Sequence, residues 1–261
     1  MLSVADVARF LNEFAPPALA ESWDNVGLLV GRYEEPVERV MTCLTITPAS
    51  AAEAVAERAN LVVSHHPLPF RPLVRLTGET SEGRLLLELI GAKIAVFSPH
   101  TAFDSAEEGI NQRLAGGLQL RDIGPLVPGV EAPGGGGRFG TLSTAITLEE
   151  LAGRVKKFLA IENIQAVGSL DQPVRTVAVA CGSAGELLQP AAAAGCDCLV
   201  TGEVRFHGCL EAESLGMGLV LAGHFASERF AVEQLAGVLA GQFPKLQVWA
   251  SKQEKDPLHW L

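Results

Sequence analysis

Residues 37–66 read VERVMTCLTITPASAAEAVAERANLVVSHH, and residues 174–203 read VRTVAVACGSAGELLQPAAAAGCDCLVTGE. Each stretch opens on an apolar β-rich run, turns into an alanine-rich segment, and ends in a second apolar run that stops at polar residues. The apolar runs are nearly continuous rather than alternating, as in strands covered on both faces, and strand–helix–strand order implies a parallel crossover. Laid on each other, NLVVSH falls on DCLVTG. Farther along, GAKIAVFSPHTAFD (91–104) lies over GMGLVLAGHFASE (216–228), so both halves carry His-x-Ala-x-carboxylate after an apolar strand. The pattern predicts an α/β fold of two related α/β domains from an internal duplication, with mixed sheets flanked by helices.

Working outward, Ser3 reads as a helix N-cap followed by Val4, Val7, Ala8, Leu11 and Phe14 at helical spacing, with Pro16 and Pro17 as the stop. WDNVGLLVG reads as a turn into a short strand, and GINQRLAGGL as a helix. The run PGVEAPGGGGRFG at 128–140 lacks the Lys-Ser/Thr of a phosphate-binding loop and opens no helix, so it reads as a linker or hairpin loop at a junction. The expected organisation is a first half over 1–127, this junction over 128–140, and a second half over 141–261, whose last helix and strand are able to pack on the first half.

The composition, 48% hydrophobic against 19% charged over 261 residues, is that of a globular chain with a full core. The start combines acidic residues with helical spacing, so no leader peptide is expected, and no apolar run is long enough to span a bilayer. A net charge of −10 and the lack of a Lys/Arg cluster with interleaved aromatics argue against a nucleic-acid partner. The five cysteines are odd in number and form no C-x-x-C pair, which disfavours a disulfide framework and fits a reducing cytoplasm. Cys196 and Cys198, two apart, read as core rather than as a thiolate pair.

Polar residues that directly follow buried strands face the ligand crevice of a doubly wound sheet. Three such places stand out: His65 and His66 after LVV, His100 and Asp104 after KIAVF, and His224 and Glu228 after LVLA. Each has a structural use of its own. A His-His-Pro turn often packs or caps, His-x-x-x-Glu is a common helix-surface pair, and Asp104 suits a helix cap. Together they point to a two-metal site of His65, His66, Asp104, His224 and Glu228. Mixed imidazole and carboxylate donors suit two divalent ions drawn from zinc, manganese, iron, cobalt or nickel, with no choice among them. His100 is either a second ligand or a partner of one, and Glu203 and His207, four apart in TGEVRFH, are candidates for general base and acid. Gly182, Ser183 and Gly185 serve either an anion or a tight turn. Trp23 and Asp24 either line the cavity or pack and cap, and His259 and Trp260 read as packing or interface residues.

In order, SWDNVGLLVG, VVSHHP, HTAFD with GINQRLA, CGSAGE, TGEVRFH and GHFASE resemble the dinuclear-metal-centre family named for Ngg1-interacting factor 3, the GTP cyclohydrolase 1 type 2 homologues. The resemblance spans nearly the whole chain. It implies the same five ligands, a ring-shaped homohexamer with its sites facing an internal cavity, and, from the short Gly-rich junction, the absence of the insertion some relatives carry. TGEVRFH departs from it, with glutamate where many relatives have aspartate. The function expected is a metal-dependent hydrolase of a nucleotide-like small molecule, in the GTP cyclohydrolase version acting at the purine ring carbon. Glu203, His207 or His100 would then move protons. The alternative is a non-enzymatic metal-binding scaffold or regulatory interaction protein.

Overall fold

A computed structural model describes residues 1–259 and divides the chain into two compact units. The first holds Met1–Phe103 and Ala231–Pro257, and the second holds Asp104–Phe230 with Leu258 and His259. Trp260 lies outside the described residues.

The first unit begins with helix α1 (Val4–Phe14), which buries Val4, Val7, Ala8 and Leu11, while Ser3 donates from its amide (2.9 Å) and hydroxyl (2.8 Å) to the Asp6 carboxylate. Strand β1 (Gly27–Val30) and β2 (Arg39–Cys43) follow, then α2 (Pro48–Ala56), β3 (Leu61–Ser64), α3 (Ser81–Gly91) and β4 (Ala95–Ser98). Strands β2, β3 and β4 pair in parallel through the α2 and α3 crossovers, and β1 pairs antiparallel with β4, placing Gly27 opposite Ser98. Helix α4 (His100–Ser105) begins directly after β4 and crosses the division between the units.

In the second unit α5 (Ile110–Gly117) precedes β5 (Arg121–Pro128) and β6 (Gly135–Thr147), which form an antiparallel hairpin. The Gly/Pro-rich run of 128–140 thus spans the turn of that hairpin and the start of β6, and the division between the units falls at Phe103/Asp104 instead. Arg138 explains much of this loop's shape. Its buried guanidinium donates to the carbonyls of Gly135 (2.7 Å), Gly137 (2.7 Å), Ser105 (3.0 Å) and Ala106 (2.7 Å), so the chain folds around the cation. There follow α6 (Leu148–Leu159), β7 (Gln165–Val167), β8 (Pro173–Ser183), α7 (Leu188–Ala193), β9 (Cys198–Glu203), α8 (Phe206–Ser214) and β10 (Gly218–Leu221). Strands β8, β9 and β10 are parallel, β7 lies antiparallel beside β10, and the sheet order is β5-β6-β8-β9-β10-β7.

Helix α9 (His224–Gln242) again crosses the division, and β11 (Gln247–Ala250) pairs in parallel with β2, giving the first sheet the order β1-β4-β3-β2-β11. Each sheet therefore contains a run of three consecutive parallel strands joined by helical crossovers, with an antiparallel strand from earlier in the chain beside the third, and the first sheet gains β11 as a fourth parallel strand. This is the shared grammar of residues 37–66 and 174–203. The first core gathers Met41, Val62, Leu86, Leu89 and Val96; the second sheet has a cluster around Leu114, Leu148, Val177 and Val200 and another around Leu188, Leu199 and Leu219. Cys198 sits in one of these and Cys196 in the other, both as buried thiols raised by desolvation, so they act as core rather than as a pair. Among the described residues, no helix is long and apolar enough to cross a membrane.

Candidate metal centre

Sheet pairing continues one step past the end of β3. His65 donates its amide to Cys43 (2.9 Å) and His66 to Leu44 (2.8 Å), so the backbone ladder itself sets where the two rings emerge. The hydroxyl of Ser98 adds a 2.6 Å bond to the His65 carbonyl. His65 is only 2% exposed, and His66 has Nδ1 2.7 Å from Oγ1 of Thr45. His100 opens α4 with φ +29°, in the left-handed region that a non-glycine residue seldom adopts. One ring nitrogen from each of His65, His66 and His100 lies within 4.8 Å of the other two.

The Asp24 carboxylate organises this corner. Oδ1 faces Nδ1 of His100 at 2.7 Å and accepts the Asn25 amide at 2.7 Å, and Oδ2 accepts the Thr101 amide (3.1 Å) and hydroxyl (2.5 Å). Burial pushes the Asp24 carboxyl up, but the bonds from His100 and Thr101 outweigh it and hold the pKa at about 2. Trp23 and Phe70 both turn toward His100 with near-perpendicular rings, centroids 6.1 Å away. Asn25 fixes the Phe70 loop through a 2.7 Å bond to the Pro69 carbonyl.

The second unit presents its own donors. Glu228, on the first turns of α9, is 4% exposed, and its Oε2 lies 3.1 Å from Nε2 of His224. The other ring nitrogen of His224 lies 3.0 Å from Oε1 of Glu203 at the end of β9. Bonding to Glu228 raises the His224 pKa to about 9; burial opposes this, and the charges of Glu228 and Glu203 reinforce it. Asp104 accepts the thiol of Cys181 at 3.1 Å. That thiol is pushed far up by burial, then by the charges of Asp104 and Glu228, so both carboxylates bear on one point. Gly182 follows with φ +65°, its amide donating to Ser227 Oγ at 2.9 Å.

Not every residue singled out by sequence falls in these clusters. Glu203 ends a strand and His207 lies on α8, so the two do not share a helix face, and Glu203 pairs with His224. His207 stacks edge-on against Phe206, centroids 5.7 Å apart, and is exposed along with His259. Gly182 and Ser183 end β8, and Gly185 starts a single 3₁₀ turn, so the glycine segment is a strand exit. Sequence reasoning missed three partners: Thr45 on His66, the Asp24 bond to His100, and Cys181 beside Asp104.

The donors suit a divalent metal. Imidazole and carboxylate are ligands for zinc and its first-row neighbours, and donors about 2.1 Å from one tetrahedral ion lie about 3.4 Å apart, a modest closure from the present spacing of the three histidines. In the second unit, Gly182 leaves room for a carboxylate, since a Cβ there would stand 2.3 Å from Oε1 of Glu228.

Comparison with known proteins places the chain in a family. A GTP cyclohydrolase 1 type 2 homolog of Clostridium acetobutylicum is 32% identical over 95% of this chain and 93% of its own. The GTP cyclohydrolase 1 type 2 of Helicobacter pylori is 34% identical over 88% of each. The crystal structure of Staphylococcus aureus protein SA1388 superposes with a TM-score of 0.91 at 26% identity, covering 100% of this chain and 99% of that one. The family model for Duf34/NIF3 (NGG1p interacting factor 3) matches residues 2–257, and the chain belongs to that family.

Proposed function

We propose that this chain is a metal-dependent hydrolase of a nucleotide-like small molecule. His65, His66, Asp104, His224 and Glu228 bind two divalent ions, and His100 is a further nitrogen donor. The observation that carries this reading is the repeated one: in each unit the chain leaves parallel strands into ligand-type side chains held by hydrogen bonds, imidazoles in the first unit and imidazole with carboxylates in the second. When bound, such ions polarise the carbon under attack and lower the pKa of a water molecule.

The chain's own groups do the rest. The buried His65 and Glu228 hold their donors in a dry environment, where electrostatic interactions are strong. Glu203 is exposed and hydrogen-bonded to His224, so it takes up a proton and passes it to solvent. The exposed His207 is a second carrier. The purine version of the substrate, with attack at the ring carbon, is supported by the name of the Helicobacter pylori relative. A homohexameric ring, expected from the family resemblance, belongs to the same proposal.

The test is metal analysis and light scattering of the purified protein, joined to a turnover screen. Protein loaded in turn with zinc, manganese, iron, cobalt and nickel is offered GTP and a panel of other nucleotides. Turnover of at least one is expected, abolished in Asp104→Ala. Equal turnover by that variant overturns the assignment of Asp104. Metal binding with no turnover anywhere in the panel overturns the hydrolase and leaves a metal-binding scaffold.

A further inference from the structure

Asp24 lies on no element that carries a proposed ligand. It precedes β1, and it reaches His100 only because β1 pairs with β4, setting Gly27 opposite Ser98. Its side chain is fully buried. Both oxygens are used twice, by His100 and Asn25 on one side and by the amide and hydroxyl of Thr101 on the other. A carboxylate only accepts hydrogen bonds, so the proton between it and His100 sits on Nδ1, and in the neutral ring the lone pair then lies on Nε2. The bond to Thr101 fixes the first turn of α4, the bond to His100 fixes the ring on that turn, and Trp23 and Phe70 pack edge-on against the ring. The unusual backbone of His100, φ +29°, is held by the same four hydrogen bonds.

We propose that Asp24 is a positioning residue for metal binding: it accepts the hydrogen bond from Nδ1–H of His100 and holds the ring so that Nε2 serves as a donor beside His65 and His66. The proposal rests on the metal-centre reading above. The same chemistry recurs in the second unit, where Nδ1 of His224 faces Glu203 at 3.0 Å. The two pairs differ in solvent access. The Glu203 side chain is 55% exposed against 0% for Asp24, so water replaces the Glu203 bond readily and the Asp24 bond poorly.

The experiment uses the full chain and Zn²⁺ as probe. Wild type, Asp24→Ala, Asp24→Asn and Glu203→Ala are titrated with Zn²⁺ by calorimetry, with thermal unfolding measured alongside. The His100 tautomer is read in the metal-free protein from ¹⁵N shifts of labelled histidine, assigned by loss of the signal in His100→Gln. Asp24→Ala should weaken Zn²⁺ binding about 10- to 100-fold, as loss of a carboxylate partner of a ligating histidine does. Asp24→Asn, which keeps an oxygen acceptor, should recover part of that loss, and Glu203→Ala should lose less than Asp24→Ala. In the wild type, Nδ1 of His100 should carry the proton.

A merely structural Asp24, capping α4, would lower the melting temperature and leave Zn²⁺ affinity unchanged, which overturns the proposal. A His100 protonated on Nε2 overturns it too, and that reading needs no Asp24 variant to fold. Wild-type protein that binds no Zn²⁺ overturns the metal reading itself. Undiminished binding in Asp24→Ala removes only the role of Asp24.

Discussion

Gly182 and Glu228 fit as a gap and its filling: the glycine has no Cβ, and one placed there would stand 2.3 Å from Oε1 of the buried carboxylate. The same residue has φ +65°, where a side chain is strained whatever the space. Gly182→Ala should therefore cost about 1–3 kcal/mol of stability from the backbone conformation and move the Glu228 carboxylate as well. Chemical denaturation reads the first effect. Zn²⁺ titration reads the second, with an expected loss on the order of tenfold or more. A variant that is destabilised yet binds Zn²⁺ as wild type does would show that Glu228 is not a ligand.

His224 lies between two carboxylates, 3.1 Å from Glu228 and 3.0 Å from Glu203, and its pKa rises to about 9. A group whose pKa is raised by folding stabilises the folded state while it is protonated. In the metal-free protein that contribution is full below the ordinary value of 6.5 and is lost as pH rises through about 9. With chelator present, wild type should exceed Glu228→Gln in stability most clearly at about pH 6, and the gap should narrow as the pH approaches about 9. The His224 side chain is 36% exposed, so solvent screens the pair and the gap is modest. A gap that stays constant or widens with pH would mean that Glu228 does not hold the His224 proton.

Much of this was legible because buried parallel strands leave a strong trace. VMTC, LVVS, CLVT and GLVL are nearly continuous apolar runs, and His65 and His66 directly follow the second of them while Gly223 and His224 come just after the fourth, where the chain leaves the sheet. What escaped depends on pairing across long separations. Asp24 and His100 are 76 residues apart and meet only through the order of the first sheet. The last helix and strand read as able to pack on the first half, but the pairing of β11 with β2 that brings residues 231–257 into the first unit is a register that hydrophobic periodicity cannot specify. Cys181 reads as any core cysteine until the fold sets a carboxylate beside it. For Glu203 and His207, four-residue spacing suggests a shared face only on a continuous helix, and here a strand ends between them.

The segment after β11 is tied to His66 by a short relay. Glu254 accepts the amides of Leu44 (2.8 Å) and Thr45 (2.5 Å), and the Thr45 hydroxyl lies 2.7 Å from Nδ1 of His66. Removing the carboxylate in Glu254→Ala exposes two part-buried amides and should cost about 1–3 kcal/mol. It should also weaken Zn²⁺ binding, because Thr45 then loses its anchor. Thr45→Val is close to isosteric, so it should weaken Zn²⁺ binding with a stability change of about 1 kcal/mol. The combination decides whether the relay is real, since residues acting through one another are not additive. If Glu254 works through the Thr45 hydroxyl, Glu254→Ala should lower Zn²⁺ affinity in the wild-type background and have little further effect once Thr45 is valine. Equal losses in both backgrounds would show that the tail acts on the site by some route other than Thr45.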